Sequence, residues 1–231
     1  MFCNIFTHAQ SSRQPTDAEK KAINKAVHII TPMIDSFEND EWKKEAGGAD
    51  DEDNYSIQTH PDVAMSVAPF NEWDFTVRQG SPIWNTSIQP YLNKTEQTNF
   101  SDPQAVATLQ KEGAKVKALQ HIYVEIHVND KSIPGRPNNS IPTAGVTYAY
   151  KQTPGAFTGT DHNLPSYVLV FGNWKNAVFN NSFNASQFHF AHAFGTPYIE
   201  NIVIIMSGNE ARIKELITTL NWNEINNALT L

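Results

Sequence analysis

Apolar residues recur at helical spacing through Ala22, Ile23, Ala26, Val27, Ile30, Met33, Ile34 and Phe37. The spacing predicts a first helix with one apolar stripe. Pro15 precedes Thr16, and Thr16-x-x-Glu19 reads as a capping box, in which the hydroxyl accepts one free N–H and the carboxylate reaches back to another. Pro32 lies inside the stripe and predicts a kink or an early stop near Thr31, because proline lacks the helical N–H and crowds the preceding turn. Gly47-Gly48 ends this region, and the acidic stretch after it reads as loop.

Between residues 55 and 100 the pattern is short-ranged. Ile57, Val63, Met65 and Val67 alternate, as do Trp73, Phe75 and Val77, which predicts brief strands interrupted by Pro61, Pro69 and Pro82. A second, clearer helix starts at Asp102-Pro103, a cap followed by a first-turn proline. Val106, Leu109 and Val116 lie on one of its faces, and Gly113 weakens its middle.

The second half reads mainly as sheet. In residues 122–128, Ile122, Val124, Ile126 and Val128 alternate with Tyr123, Glu125 and His127, giving one buried face and one chemically rich face. A Pro/Gly/Asn-rich loop from Asn129 to Gly145 follows, and Val146 to Tyr150 is a further strand. Tyr167 to Phe171 and Ile202 to Met206 are apolar throughout, so both of their faces need cover. The closing helix carries Ile213, Leu216, Ile217 and Leu220 behind a capping box read at Ser207-Gly208-Asn209-Glu210. This order predicts an α+β fold: a largely antiparallel sheet with an N-terminal, a middle and a C-terminal helix packed on one face.

Composition adds location. Of 231 residues only 18% are charged, and the polar bulk comes from neutral amides and hydroxyls, a style common in secreted proteins. The net charge of −7 is accounted for by the stretch from Asp35 to Asp53, which reads as solvated acidic loop. No basic stripe is present to neutralise phosphates, so nucleic acid is not expected as a partner. No apolar run has the length of a transmembrane segment. Residues 1–9 resemble the remnant of a signal peptide, with Thr7-x-Ala9 as the small-residue cleavage site before Gln10, leaving 10–231 as a single α+β domain. Cleavage there removes Cys3, the one cysteine, and leaves no disulfide. The expected location is therefore exported, periplasmic or extracellular.

Three groups of residues could carry chemistry. In residues 172–183, aromatics interleave with amides, a pairing that suits carbohydrate because flat rings stack on sugar faces and amides both donate and accept. Trp174, Asn173, Asn176 and Phe179 are the candidate ligand residues, with Tyr123 on the neighbouring strand face and Trp84, Tyr91 and Trp222 as possible extensions. The plainer alternative is that these rings tuck into the core. A second group, Glu125 and His127 with His189 or His192, has the residue types of a metal site or a general acid–base pair. Residues 188–194 read as strand, which turns His189 and His192 to opposite faces and lets only one join; the plainer reading is a set of hydrogen-bonded structural histidines. Third, Asp50, Glu52 and Asn54 alternate like the first ligands of a calcium loop, but Tyr55 and Pro61 stand where its glycine and last glutamate belong.

No phosphate-binding loop, nucleophile elbow, dinucleotide fingerprint or zinc-protease motif is present, and no cofactor is expected. These readings converge on an exported, non-catalytic binding or envelope-associated domain whose partner is glycan or cell-envelope material. The alternative is a metal-dependent or general acid–base hydrolase using Glu125 and His127 with His189 or His192.

Overall fold

The structure, a computed structural model, describes residues 11–13, 15–47, 57–59, 67–152, 164–192 and 196–230. The cleavage-site reading at residues 7–10, Cys3 and the calcium-like residues Asp50, Glu52 and Asn54 lie outside them.

The strands are β1 (Ser11–Arg13), β2 (Trp42–Gly47), β3 (Ile57–Thr59), β4 (Val67–Val77), β5 (His121–Val128), β6 (Ser132–Pro134), β7 (Tyr148–Gln152), β8 (Ser166–Gly172), β9 (Val178–Asn180), β10 (Ala185–Gln187) and β11 (Asn201–Gly208). The helices are α1 (Asp17–Asp35), α2 (Gln89–Gln97), α3 (Pro103–Gln120) and α4 (Glu210–Thr219). A π turn at Trp84–Ile88 leads into α2, and 3-10 turns occupy Trp174–Asn176 and Trp222–Ala228. The main sheet has six strands in the order β2-β4-β5-β11-β8-β7, every pair antiparallel. A three-stranded sheet, β6-β10-β9, and the pair β1-β3 complete it. The α+β reading with a largely antiparallel sheet holds.

Both faces of the main sheet carry a core, and the two cores differ in cover. On the first face, Trp73 and Phe75 of β4, Val124 and Ile126 of β5, Ile204 and Met206 of β11 and Leu169 and Phe171 of β8 form one buried cluster. Ile23, Ile30 and Ile34 of α1, Ile213, Leu216 and Ile217 of α4 and Trp222 and Ile225 of the last 3-10 turn complete that cluster, and Val116 of α3 packs against it. On the second face, Val168 and Val170 of β8, Val203 and Ile205 of β11 and Tyr150 of β7 pack with Ile133 of β6, Trp174 and Phe188.

The capping box of α1 is present: Glu19 N donates to Thr16 Oγ1 at 3.3 Å, and Thr16 N donates to Glu19 Oε2 at 2.8 Å. Pro32 does not stop the helix early. It stands one turn from the end at Asp35, where few N–H groups remain to be lost, and Ser36 closes the turn by donating to the Pro32 carbonyl at 3.1 Å. The middle of the acidic stretch, Trp42–Gly47, is strand, not loop. In β2, Trp42 is fully buried, Lys43 pairs with Glu45, and Lys44 reaches Asp35 at 3.0 Å, so the charges lie on a strand anchored by one indole. The loop from Asn129 to Gly145 contains β6, and α2 goes unread in the polar sequence before residue 100. The cap of α4 is Asn209, whose side chain accepts Arg212 N at 3.0 Å; Ser207 stays inside β11. Gly208 makes the reversal between them, at φ +127° and against the His121 carbonyl, where a side chain has no room.

Leu216 is 2% exposed in the core beneath the first face. Leu216→Ala should lower stability by about 2–5 kcal/mol. Chemical denaturation measures this, and an unchanged midpoint would contradict the packing described.

Candidate functional site

Antiparallel register places residues that face one another across neighbouring strands on the same side of the sheet. On β5 the second-face residues are Tyr123, Glu125 and His127. On β4 their partners are Asp74 opposite Tyr123, Glu72 opposite Glu125 and Thr76 opposite His121. On β11 they are Ser207 opposite Tyr123, Ile205 opposite Glu125 and Val203 opposite His127. Ile205 and Val203 belong to the core under the small sheet, so the second face changes from apolar to ionisable between β11 and β5.

His127 lies between two carboxylates, with Nε2 3.5 Å from Glu125 Oε2 and Nδ1 3.5 Å from Asp130 Oδ2. The three side chains are only 12–19% exposed. Burial pulls the His127 imidazole down, but its hydrogen bond to the Glu125 carboxylate and the charges of Asp130, Glu125 and Glu72 outweigh it and hold the ring above its ordinary 6.5. Burial raises the Asp130 carboxyl, opposed by the His127 charge and by the N–H groups of Ser132 and Lys131. Glu72 opposite Glu125 is a like-charged pair, an arrangement that weakens a sheet and that local positive charge relieves.

A second group sits further along β5. His121 Nδ1 is 3.2 Å from Asp74 Oδ1, and the His121 ring lies parallel to the Tyr123 ring, with centroids 5.3 Å apart.

A buried amide network fixes the His127 end. Asn129, at φ +55°, accepts the N–H of Glu200 at 2.7 Å and donates to the Tyr198 carbonyl at 2.7 Å. Asn201 Oδ1 accepts the N–H of Asp130 at 2.9 Å. Both asparagines are fully buried, so Asp130 is held on a rigid turn beside His127.

The interleaved loop does not form an aromatic platform. Trp174 is 1% exposed; its Nε1 donates to the Phe171 carbonyl at 3.1 Å, and its ring meets Phe188 edge-on at 4.8 Å. The apolar second face of β8 draws the indole inward, leaving Asn173 and Asn176 exposed on the turn around it. Phe179 is half-buried, with the Arg136 guanidinium 4.3 Å over its ring. Trp222 is fully buried and donates to the Ile217 carbonyl, so it extends no surface either.

The structure brings Glu125 and His127 together but does not add the later histidines. Residues 188–192 are irregular and not strand. His189 is exposed. His192 stacks on Tyr198 at 3.7 Å and lies 3.1 Å from Glu200, whose carboxylate also accepts the N–H groups of Ala191 and His192. Among the described residues, no group of three or more His, Cys, Asp or Glu side chains is gathered to hold a metal ion.

Sequence reasoning missed Asp74, His121, Asp130 and Glu72. The alternation of Trp73, Phe75 and Val77 already turns Glu72, Asp74 and Thr76 to the other face. What the pattern does not supply is the pairing of β4 with β5.

Fold and site define an antiparallel α+β protein with a core on each sheet face and an ionisable strip beside the smaller core. Comparison with protein-family models, with curated proteins and with solved structures finds no match to this chain.

Two predictions follow from these contacts. Trp174→Ala should cost about 3–5 kcal/mol; a melting temperature close to wild type would contradict its burial. The His127 imidazole should titrate above 6.5 by NMR, and Glu125→Gln should move its midpoint down. A raised folded-state pKa contributes stability that is fully present below 6.5 and is lost as pH rises through the folded value. A wild-type midpoint at or below 6.5 would contradict the charge arrangement.

Proposed function

We propose that this chain is an exported, non-catalytic binding protein that takes hydroxyl-rich envelope material, a glycan, on the ionisable strip of its second sheet face. The observation that carries the reading is the set Asp74, His121 and Tyr123, with Glu125 and His127 beyond them on the same strand face. Carboxylates accept hydrogen bonds from sugar hydroxyls, imidazole both donates and accepts, and a tyrosine ring offers a flat apolar surface with a polar tip. The neutral hydrophilic composition supports export. With Trp174 in the core, the binding surface moves from the loop at 172–183 to the strands themselves, where side chains are held more firmly.

A second reading rests on His127. A histidine flanked by two carboxylates can hold and pass a proton, and a separation of 3.5 Å on either side leaves room for these groups to tighten on a substrate. That reading makes the same strip a general acid–base hydrolase with Glu125 and His127 as its working pair.

A glycan array followed by calorimetry on the retained sugars tests the choice. Tyr123→Ala and Asp74→Ala should each weaken binding about tenfold, equivalent to ~1.4 kcal/mol, and the sugar should be recovered unchanged. Absence of binding across the array would end the glycan reading. Release of new reducing ends by wild type, lost in Glu125→Gln, would replace it with the hydrolase.

A further inference from the structure

The protein is acidic overall, but its charge is not evenly placed. Between Asp130 and Glu200 the sequence holds one carboxylate, Asp161, against Lys131, Arg136, Lys151 and Lys175. This stretch supplies the whole three-stranded sheet β6-β10-β9 and the 3-10 turn that precedes β9. Lys151 is paired with Glu210, whereas Arg136 and Lys175 are exposed beside the β9–β10 hairpin. Lys175 stands three residues ahead of Val178, where the hairpin starts. Arg136 stands at its tip, because the neighbouring Gly135 N donates to the Asn184 carbonyl at 2.7 Å.

The same hairpin carries exposed apolar side chains. Phe183 is 76% exposed and Val178 54%, while Trp174 and Phe188, before and after the hairpin in sequence, are buried. Two features fix the turn that bears Phe183. Asn180 Oδ1 accepts Ser182 N at 2.9 Å, and Asn184 adopts φ +47°, a left-handed conformation uncommon outside glycine. Asn181, Ser182 and Asn184 around the ring are exposed as well. An exposed apolar side chain alone is ordinary. Phe100 is 65% exposed at the turn between α2 and α3, but Glu96 precedes it and Asp102 follows it. The β9–β10 hairpin differs by joining such side chains to cations in a stretch poor in carboxylates.

We propose that the β9–β10 hairpin docks on an anionic phospholipid surface, with Phe183 inserted at the headgroup boundary and Arg136 and Lys175 against the lipid phosphates. Apolar side chains sink into that boundary, and each lysine or arginine near an anionic leaflet adds attraction. The acidic remainder of the chain is repelled by the same leaflet, so the carboxylate-poor end turns toward it. A protein partner fits less well. A stable protein interface buries about 1,200–2,000 Å², and strands of three residues offer a small part of that. A bilayer needs no matching surface and accepts single side chains. The inference does not depend on what the strip on β4 and β5 binds.

Co-sedimentation of the full chain with lipid vesicles tests the proposal. The probes are vesicles of phosphatidylcholine alone and of phosphatidylcholine with roughly one-third phosphatidylglycerol. Wild type should bind the anionic vesicles about tenfold more tightly than the neutral ones, and added salt should weaken that binding. Phe183→Ala should weaken it at least about tenfold, and Lys175→Gln about fivefold. Phe100→Ala should bind as wild type does. All three variants should melt close to the wild-type temperature, because each changed side chain is exposed. Tryptophan emission of Phe183→Trp should shift to the blue on anionic vesicles, and that of wild type should not. Absence of wild-type binding, or equal binding to neutral vesicles, would overturn the proposal. Unaltered binding by Phe183→Ala, or an equal loss in Phe100→Ala, would overturn it too. Self-association that Phe183→Ala abolishes, without vesicle binding, would replace the lipid with a second copy of the chain.

Discussion

Burial of β11 on both sides is the constraint on which the rest of the structure depends. Every residue from Asn201 to Gly208 is buried, and the strand is flanked by β5 and β8. An apolar side chain left in water instead of a core forfeits about 1.5–3 kcal/mol, so Ile202, Ile204 and Met206 on one face and Val203 and Ile205 on the other require separate covers. Two amphipathic helices and the final 3-10 turn supply the first. The second comes from strands too short to stand alone, β6, β9 and β10, held down by Trp174 and Phe188. The indole that looks like a ligand platform in the sequence is the anchor of that smaller cover.

The smaller cover does not reach across the whole sheet. It protects the part of the second face belonging to β7, β8 and β11, and at β5 the face turns ionisable. There the His127 imidazole lies between the carboxylates of Glu125 and Asp130, while His121 and Tyr123 lie parallel beside Asp74. A purely structural face would be simpler to build from valine and isoleucine. Like-charged Glu72 and Glu125 face one another across β4 and β5, and such a pair weakens a sheet. That local cost is the physical ground for assigning a function to this strip and not to the rest of the surface.

Much of the frame was legible in the sequence, and the reasons are specific. The alternation from Ile122 to Val128 is a half-buried strand, the unbroken apolar runs at Tyr167–Phe171 and Ile202–Met206 are strands covered twice, and Thr16 with Glu19 is a helix start. Other features left no readable period. Strands of three residues in a Pro/Gly/Asn-rich stretch carry too few positions to alternate, and β2 is disguised by its lysines and glutamate around the buried Trp42. The candidate site was half legible for a related reason. Tyr123, Glu125 and His127 share a face by alternation alone, but Glu72 and Asp74 join them only through strand pairing, which one sequence does not encode locally. Trp174 was misplaced because an aromatic set among asparagines can point either way, and the apolar side of β8 decides it.

The central claim is that the second sheet face, and not the loop at 172–183, receives the ligand. Hydrogen exchange on the protein with and without a bound saccharide oligomer addresses it directly. The account predicts added protection in β4 and β5 from Glu72 to Val77 and from His121 to His127. Protection confined to residues 172–183, with the strand amides unchanged, would contradict it.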